Sequence, residues 1–198
     1  VSRVCHRNAR ARKALLEILA RLLADYPQQL VWAVTPLKLS TVAERRQCGE
    51  SIFADAHRRL GASSPKIKVL GTAPKLVELL RQVCNDSTID KTVKRVSIRG
   101  RWSGLHKLQS LPLVVPVYGN LTAREQAPAF STIHTIMPRD GSAPALDDGP
   151  YADDAPTIDR WEDQVEVMGS LQRPKKVMVR GSDGVTHPLL CQPKEHLR

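Results

Sequence analysis

The sequence is poor in aromatic residues and contains no long apolar run. Only 4% of its 198 residues are aromatic, so any core has to consist mainly of Leu, Val, Ala and Ile side chains. No apolar run reaches the 18 residues that would suggest a membrane-spanning helix, and we recognise no secretory signal. Apolar residues at 41% suffice for the core of one ordinary domain, or for parts of two.

Cysteine is also scarce, and its spacing argues against a zinc site. None of the four cysteines forms a C-x-x-C pair, and no histidine lies at finger-like spacing from two of them. The pattern suits reduced thiols in the cytosol or nucleus. We therefore predict no metal-binding residues. The four positions are Cys5, Cys48, Cys84 and Cys191.

Positive charge is plentiful but unevenly distributed. The net charge is +10, and residues 1–102 hold 20 Lys/Arg against 8 Asp/Glu, whereas residues 103–198 hold 10 against 12. A basic half can bind nucleic acid by displacing counterions from phosphates. Here few aromatic side chains lie between the basic ones to stack on bases, which favours solvated helical faces.

Apolar periodicity predicts a helical first half. The predicted helices are Arg10–Tyr26, Gln28–Leu39, Thr41–Leu60, Pro74–Cys84 and a short one over Asp90–Ile98. In the first helix, the apolar stripe is expected to consist of Ala11, Leu15, Ile18, Leu19, Leu22 and Leu23. In the third, Thr41 and Glu44 have the spacing of a capping box.

The composition of the sequence changes after Gly100. Frequent prolines exclude a long helix up to Asp159, and Leu111–Val117 is expected to pair as a strand or to lie as extended chain. Residues 139–157 have the composition of an exposed, mobile acidic loop.

The closing segment has the pattern of a β-hairpin. Asp159–Met168 suggests a short turn or helix, and Lys176–Val179 a strand. Gly181–Gly184 reads as a tight turn, after which Val185–Cys191 returns. Pro188 cannot donate a ladder hydrogen bond, so the returning strand should be weakened or lie at an edge.

Two stretches carry a family resemblance. YPQQLVW (residues 26–32) follows a Leu-rich helix and precedes the basic run ERRQC (44–48), while LQRPKK, GSDG and CQPKEHLR follow one another within residues 171–198. This order resembles ATR-type checkpoint kinases of the phosphatidylinositol kinase-related protein kinase family. The resemblance covers roughly residues 1–60 and 161–198, and the second block is the more specific one.

The resemblance implies an α+β chain, the C-terminal end of an α-helical FAT solenoid followed by an incomplete kinase N-lobe β-hairpin. Residues 1–100 would be the end of the FAT-type region, 101–158 an irregular Pro-rich connection with an acidic loop, and 159–198 the truncated start of the kinase domain. The sequence begins with Val rather than Met, which favours an internal fragment.

The resemblance also implies nucleotide-binding residues. Ser170–Lys176 matches the phosphate-facing loop between the first two N-lobe strands, within which Ser170 and Lys175 are our candidates. Gln192 stands where the family has the lysine that holds the nucleotide phosphates, a role that a neutral amide cannot fill. Lys194 is a candidate substitute, and Glu195 matches an acidic position near the nucleotide pocket.

The function implied is that of a nuclear serine/threonine kinase that uses ATP with Mg and acts on checkpoint proteins after DNA damage or replication stress. Protein substrates and an ATRIP-like regulatory partner are expected of the full-length protein, with indirect DNA contact and no membrane. No catalytic-loop Asp, metal-binding Asn or D-F-G motif is present, so this stretch alone is expected to be inactive.

Three other functions stay open. A degenerate or truncated copy would act as a scaffold, a basic helical module would bind nucleic acid or acidic proteins, and a lipid kinase of the wider superfamily is the weakest choice. For the isolated chain we expect helical signal but poor unfolding cooperativity, because a split N-lobe leaves sheet edges uncovered.

Overall fold

The structure, a computed structural model, describes residues 3–116 and 155–193. Four long helices come first: α1 (Ala9–Asp25), α2 (Pro27–Lys38), α3 (Ala43–Leu60) and α4 (Lys66–Asn85). Next come β1 (Arg95–Ser97) and two single-turn helices, α5 (Ile98–Arg101) and α6 (Ser103–His106). The remaining strands are β2 (Ile158–Trp161), β3 (Gln164–Val167), β4 (Lys175–Gly181) and β5 (Thr186–Cys191). Helices followed by antiparallel strands confirm the α+β class.

Helix α1 begins close to its predicted start, but its buried face differs from the prediction. The Asn8 side chain caps the helix by accepting hydrogen bonds from two backbone N–H groups of the first turn. Leu19 and Leu23 are buried as expected, whereas Ile18 and Leu22 are 55% and 38% exposed. Ala20 and Ala24 complete the buried face, so the stripe is rotated by about one position around the helix.

The predicted capping box at Thr41 is wrong. Helix α3 begins at Ala43, and its N-cap, Val42, makes no side-chain capping bond. Glu44 forms an ion pair with Arg12 of α1 instead, with an N–O distance of 3.2 Å. The carboxylate is thus used between two helices rather than within one.

The start predicted for the fourth helix is also wrong, since α4 begins eight residues before Pro74. Pro74 removes one backbone hydrogen bond from the helix interior. The buried side chains before it continue the stripe that follows it: Val69, Leu70, Ala73, Leu76 and Val83. Burial of this stripe outweighs the helix-breaking tendency of the proline.

The short helix predicted over Asp90–Ile98 is replaced by a turn and strand β1. The Asp90 carboxylate accepts hydrogen bonds from the backbone N–H (2.8 Å) and hydroxyl (2.6 Å) of Thr92, which competes with helix formation. Strand β1 then pairs antiparallel with β3, with Val96 opposite Val165. This pairing brings a strand from predicted segment 1–100 into the sheet of segment 159–198, whose boundaries stay a prediction.

The turn or helix predicted over Asp159–Met168 is wrong, because this stretch forms β2 and β3. Both pair antiparallel with β4, β2 near Gly181 and β3 near Lys175. Trp161 at the end of β2 and Val165 and Val167 in β3 are buried, so the apolar spacing reflected two short strands rather than a helical face.

The predicted hairpin at the end of the described chain is confirmed. Strand β4 contains the predicted strand Lys176–Val179, and β5 returns after the turn at Gly181–Gly184. Pro188 lies opposite Met178 in β5, which pairs only with β4 among the described residues. The edge position expected for this proline is therefore observed.

The segment from Leu111 runs as extended chain beside β2. The backbone N–H of Leu111 donates to Ile158 (2.8 Å), and that of Ile158 donates to Leu113 (2.8 Å). Gln28 of α2 holds this segment, donating to the Pro112 carbonyl (2.7 Å) and accepting from the Val114 N–H (3.1 Å). The predicted acidic loop, 139–157, lies outside the described residues except for 155–157.

One hydrophobic core joins the helices to the sheet. It runs from Val4 through Phe53 and Leu76 to Val177 and Cys191 without a break. Only two polar residues are buried in the described ranges, Thr35 and Lys175.

Candidate functional site

The predicted phosphate-facing loop forms the turn between β3 and β4, residues 168–174, called here the β3–β4 turn. The backbone N–H of Met168 donates to the Pro174 carbonyl (2.9 Å), and that of Arg173 to the Ser170 carbonyl (3.0 Å). Ser170 is exposed and Leu171 is fully exposed at 101%. The tip of the turn therefore projects from the sheet.

Arg173 fixes the base of this turn to the chain that follows α4. Its guanidinium donates to the backbone carbonyls of Ile89 (2.7 Å), Asp90 (2.8 Å) and Val93 (3.3 Å). Its φ of 50° lies in the left-handed region, so the surrounding contacts hold a conformation that L-residues adopt at a cost. The turn is thus fixed to the segment that connects α4 to β1.

Lys175, a predicted nucleotide-binding residue, points into the core. It is 3% exposed, and its ammonium donates to the carbonyls of Cys84 (3.0 Å) and Asp86 (2.9 Å) at the C-terminal end of α4. Burial lowers the pKa of Lys175, and the nearby Asp86 carboxylate opposes this shift. This geometry favours a structural role for Lys175, and its proposed role at nucleotide phosphates stays a prediction.

Asp86 lies at the same junction and is held by Arg101. The guanidinium donates to both carboxylate oxygens, Nε to Oδ2 at 2.6 Å and NH2 to Oδ1 at 3.0 Å. These bonds, together with hydrogen bonds from Thr88, hold the pKa of Asp86 well below its usual range. The carboxylate therefore stays ionised, and the Arg101 guanidinium balances its negative charge in the folded chain.

Gln192 lies at the exit of β5, beside the β3–β4 turn. Its amide Nε2 donates to Oε1 of Gln172 with a distance of 2.7 Å. The structure therefore brings position 192 and the predicted loop together, and it places an amide pair where the family resemblance predicts an ammonium group. Both glutamines are polar and neutral, so they can orient a ligand but cannot balance phosphate charge.

Of the five predicted site residues, Ser170, Lys175 and Gln192 gather at one end of the hairpin. Ser170 is exposed on the turn, Gln192 is exposed beside it, and Lys175 is buried beneath it. Lys194 and Glu195 lie outside the described residues, so their predicted roles are unaffected.

Two shallow grooves flank the sheet. One of about 350 Å³ lies between the 91–95 segment and the start of the β3–β4 turn. Its charged lining is mostly basic: Lys91, Lys94, Arg95 and Arg173, with Glu166. The other, about 430 Å³, lies at the opposite end of β4, near Thr157 and Ser182.

Many basic side chains of the helical part are paired with acidic ones. The pairs are Arg12–Glu44, Arg21–Asp25, Arg58–Asp55, Arg59–Asp55, Arg81–Glu78 and Arg101–Asp86. They are distributed over several helices, which favours a scaffold over a continuous nucleic-acid face.

Within residues 3–116 and 155–193, no group of three or more His, Cys, Asp or Glu side chains could hold a metal ion. Across the same ranges, no helix is long and apolar enough to cross a membrane.

Sequence reasoning missed the residues that join the two parts. Arg173 and Gln28 act through backbone carbonyls far away in the sequence, which no local pattern reveals. Lys175 did carry a signal, since it alternates with Val177 and Val179, and residues two apart on a strand share a face.

Comparisons with known proteins agree with the family resemblance. Residues 1–77 match the family model described as serine/threonine-protein kinase ATR-like, HEAT repeats. The chain is 35% identical over 201 residues to protein kinase rad3 of Schizosaccharomyces pombe, and 32% identical over 199 residues to serine/threonine-protein kinase ATR of rice (Oryza sativa subsp. indica). Both alignments cover 100% of this chain, which spans 8% and 7% of those relatives.

Solved structures show the same fold. The open conformation of CtTel1 matches 93% of this chain and 6% of its own, with a TM-score of 0.62 and 13% identity. The complete CtTel1 dimer matches 90% of this chain and 6% of its own, with a TM-score of 0.58 and 14% identity. The resemblance to ATR-type kinases is confirmed, since the chain is similar over its whole length to a short segment of these relatives.

Proposed function

We propose that this ATR-like chain is the junction at which the helical scaffold of a protein serine/threonine kinase carries the first strands of its N-lobe. In this role the chain holds the nucleotide-facing β3–β4 turn in place and does not itself transfer a phosphoryl group. The observation that supports it is the anchoring of this turn through Arg173 to carbonyls of the segment between α4 and β1, at 2.7 and 2.8 Å.

The complete kinase would use ATP with Mg. In the described residues, the exposed turn with Ser170 and the neighbouring Gln192 fit the polar edge of a nucleotide, whereas no carboxylate group fits the metal. We therefore assign to the described residues only the positioning of nucleotide phosphates by the turn.

The remaining functional proposals follow from the relatives' names and the family resemblance. We propose a nuclear kinase that phosphorylates checkpoint proteins in response to DNA damage or replication stress, with an ATRIP-like regulatory partner. Its contact with DNA would be indirect, since the ion pairs of the helical part are distributed over several helices, which favours a scaffold over a continuous nucleic-acid face.

A scaffold without catalytic activity is the second candidate function. The observation that favours it is Gln192, whose amide bonds to Gln172 at 2.7 Å in place of an ammonium facing phosphates. Loss of a preorganised charge at such a site costs on the order of 100-fold in rate.

The test is Gln192→Lys in the full-length protein. The new ammonium would lie beside the β3–β4 turn, so we expect phosphotransfer to rise by roughly 10- to 100-fold. The measurement is the initial rate of peptide phosphorylation at saturating and at limiting ATP.

Gln109→Lys is the matched control for that substitution. Gln109 is an exposed glutamine that contacts the His106 carbonyl (3.4 Å), away from the turn, so the same change of charge there should leave the rate unchanged. An unchanged rate in Gln192→Lys would mean that Lys194 or another group already supplies the charge. Absence of phosphotransfer in both the original and the Gln192→Lys protein would favour the scaffold.

A further inference from the structure

The fold brings cysteines that are far apart in the sequence into two neighbouring pairs. Cys84, in the last turn of α4, and Cys191, at the end of β5, both adjoin Lys175 and lie close enough for each thiol to affect the pKa of the other. Cys5 and Cys48 also lie close enough together for Cys5 to raise the pKa of Cys48. All four are free thiols, so each pair is a possible site of disulfide formation.

The first pair differs from the second in having an ammonium group beside it. Lys175 lies opposite Cys191 in the β4–β5 ladder, and its Nζ donates to the backbone carbonyl of Cys84 at 3.0 Å. Cys84 is half-buried and Cys191 is buried, so a small oxidant reaches Cys84 more readily. The site thus combines the more accessible Cys84 thiol, the buried Cys191 thiol and the Lys175 ammonium group.

This environment makes Cys84 the more reactive thiol. The hydrogen bond from Cys191 and the Lys175 charge, against the effect of burial, lower the pKa of Cys84 to about 7. The same contact and burial raise the pKa of Cys191, which keeps it protonated as the donor. The lowered pKa favours the thiolate form of Cys84, and the thiolate is the nucleophile.

The second pair provides an internal comparison. Burial raises the pKa of Cys48, and its thiol donates to the Val4 carbonyl at 3.6 Å. The Arg12 guanidinium opposes this shift but does not reverse it. Cys48 is therefore expected to be less reactive than Cys84, although Cys5 lies nearby.

We propose that Cys84 and Cys191 form a redox-sensitive pair, which a peroxide converts into a disulfide that ties the end of α4 to the end of β5. The pair joins the helical part to the strand that leads directly into Gln192. Oxidation would therefore fix the exit of β5 against the helices, next to the β3–β4 turn.

The chemistry balances with hydrogen peroxide as the oxidant. The Cys84 thiolate attacks one peroxide oxygen, the O–O bond breaks, and Cys84 sulfenic acid and hydroxide result, the hydroxide taking up a proton to become water. The Cys191 sulfur then attacks the Cys84 sulfur, the S–O bond breaks, and the second water leaves with the Cys191 proton. Two thiols lose two electrons in total, and one peroxide is reduced to two waters.

The first step also prepares the second. While Cys84 is a thiolate, its charge and its hydrogen bond both hold the proton on Cys191. Conversion to the neutral sulfenic acid removes that charge, and the Lys175 ammonium then favours the Cys191 thiolate. Lys175 therefore acts as a positioning and charge-setting residue for both thiols.

The experiment is a titration of the full-length protein with hydrogen peroxide, followed by differential alkylation and peptide mass spectrometry. We expect a peptide cross-linked through Cys84 and Cys191 to form before any Cys5–Cys48 cross-link and to disappear on addition of dithiothreitol. Cys191→Ser should stop the reaction at a Cys84 sulfenic acid that dimedone traps. Cys48→Ser, the matched control, should leave the Cys84–Cys191 cross-link unchanged.

Lys175→Met tests the role of the charge. We expect it to slow alkylation of Cys84 by iodoacetamide about tenfold at pH 7, because the thiolate fraction falls. Three results would overturn the proposal: equal or faster cross-linking of Cys5 to Cys48, no Cys84–Cys191 cross-link at peroxide levels that oxidise other thiols, or no dimedone adduct on Cys84 in Cys191→Ser. The dimedone result does not depend on the folding of the Lys175→Met variant.

Discussion

At the scale of single residues, Asp86 is the charge on which the junction depends most. Its side chain is 14% exposed and accepts two hydrogen bonds from Arg101, while its backbone carbonyl accepts one from the Lys175 ammonium. Because the pKa of Asp86 is lowered in the folded chain, the carboxylate contributes stability above its unfolded pKa of about 3.9. That contribution is lost as the pH falls below that value towards the folded pKa.

We therefore predict that Asp86→Asn lowers the free energy of unfolding by about 2 kcal/mol at pH 7, since charge-assisted hydrogen bonds are lost. The difference from the original chain should shrink as the pH falls below about 4. The measurement is urea unfolding at pH 7, 5 and 3.

Asp159→Asn is the control, because the Asp159 carboxylate is paired with its exposed neighbour Arg160, at 3.2 Å, and such pairs contribute about 0–1 kcal/mol. A deficit in Asp86→Asn that stays constant from pH 7 to pH 3 would contradict the role given to its ionised form.

Single residues also show which features of the candidate site could be predicted from the sequence. The position of Gln192 at the predicted loop followed from a motif, since a motif fixes register along a strand. The burial of Lys175 was readable in its alternation with Val177 and Val179, but the family resemblance led to the opposite expectation. The partners of Arg173 could not be predicted, because backbone carbonyls are present at every residue and only the fold selects among them.

At the scale of elements, the contact between α2 and α3 depends on Gly49. A Cβ at this position would lie 2.7 Å from the Leu37 carbonyl carbon and would clash with the backbone nitrogen of Lys38. The two helix backbones approach so closely that no side chain fits between them.

Gly49→Ala is therefore predicted to destabilise the chain by about 1–3 kcal/mol, since backbone atoms cannot move aside as a flexible side chain can. Gly71→Ala in α4 is the matched control, because nothing lies within 4 Å of its Cβ position. There the gain in helix propensity should stabilise the chain by up to about 1 kcal/mol. Thermal and urea unfolding of both variants measure these changes in stability. If Gly49→Ala and Gly71→Ala changed the stability in the same direction, the close approach of the two backbones at Gly49 would be refuted.

The elements themselves were predictable to different degrees. Helices α1, α2 and α3 and the β4–β5 hairpin followed from periodicity and turn residues, which act locally. The start of α4 did not, because burial of Val69, Leu70 and Ala73 outweighs the effect of Pro74. The stretch of β2 and β3 was predicted as a short turn or helix, since a short apolar run fits both the helical and the strand period and only a partner strand distinguishes them.

At the scale of the whole molecule, the continuity of the core changes one expectation. The sequence alone predicted poor unfolding cooperativity, because a split N-lobe leaves edges uncovered. The structure shows one core that runs from α1 to β5, with Arg173 and Lys175 joining the sheet to the end of α4. Elements that share a core and polar anchors unfold together.

We therefore predict a single unfolding transition for the helices and the sheet. Far-ultraviolet circular dichroism reports on α1–α4, and fluorescence of buried Trp161 reports on β2 once Trp32 and Trp102 are replaced by Phe. The two signals should share one midpoint in urea within experimental error. Loss of the Trp161 signal at clearly lower urea than the helical signal would show that the sheet unfolds on its own. The core and the Arg173 anchor would then be too weak to couple the two parts, and the poor cooperativity expected from the sequence would be the correct reading.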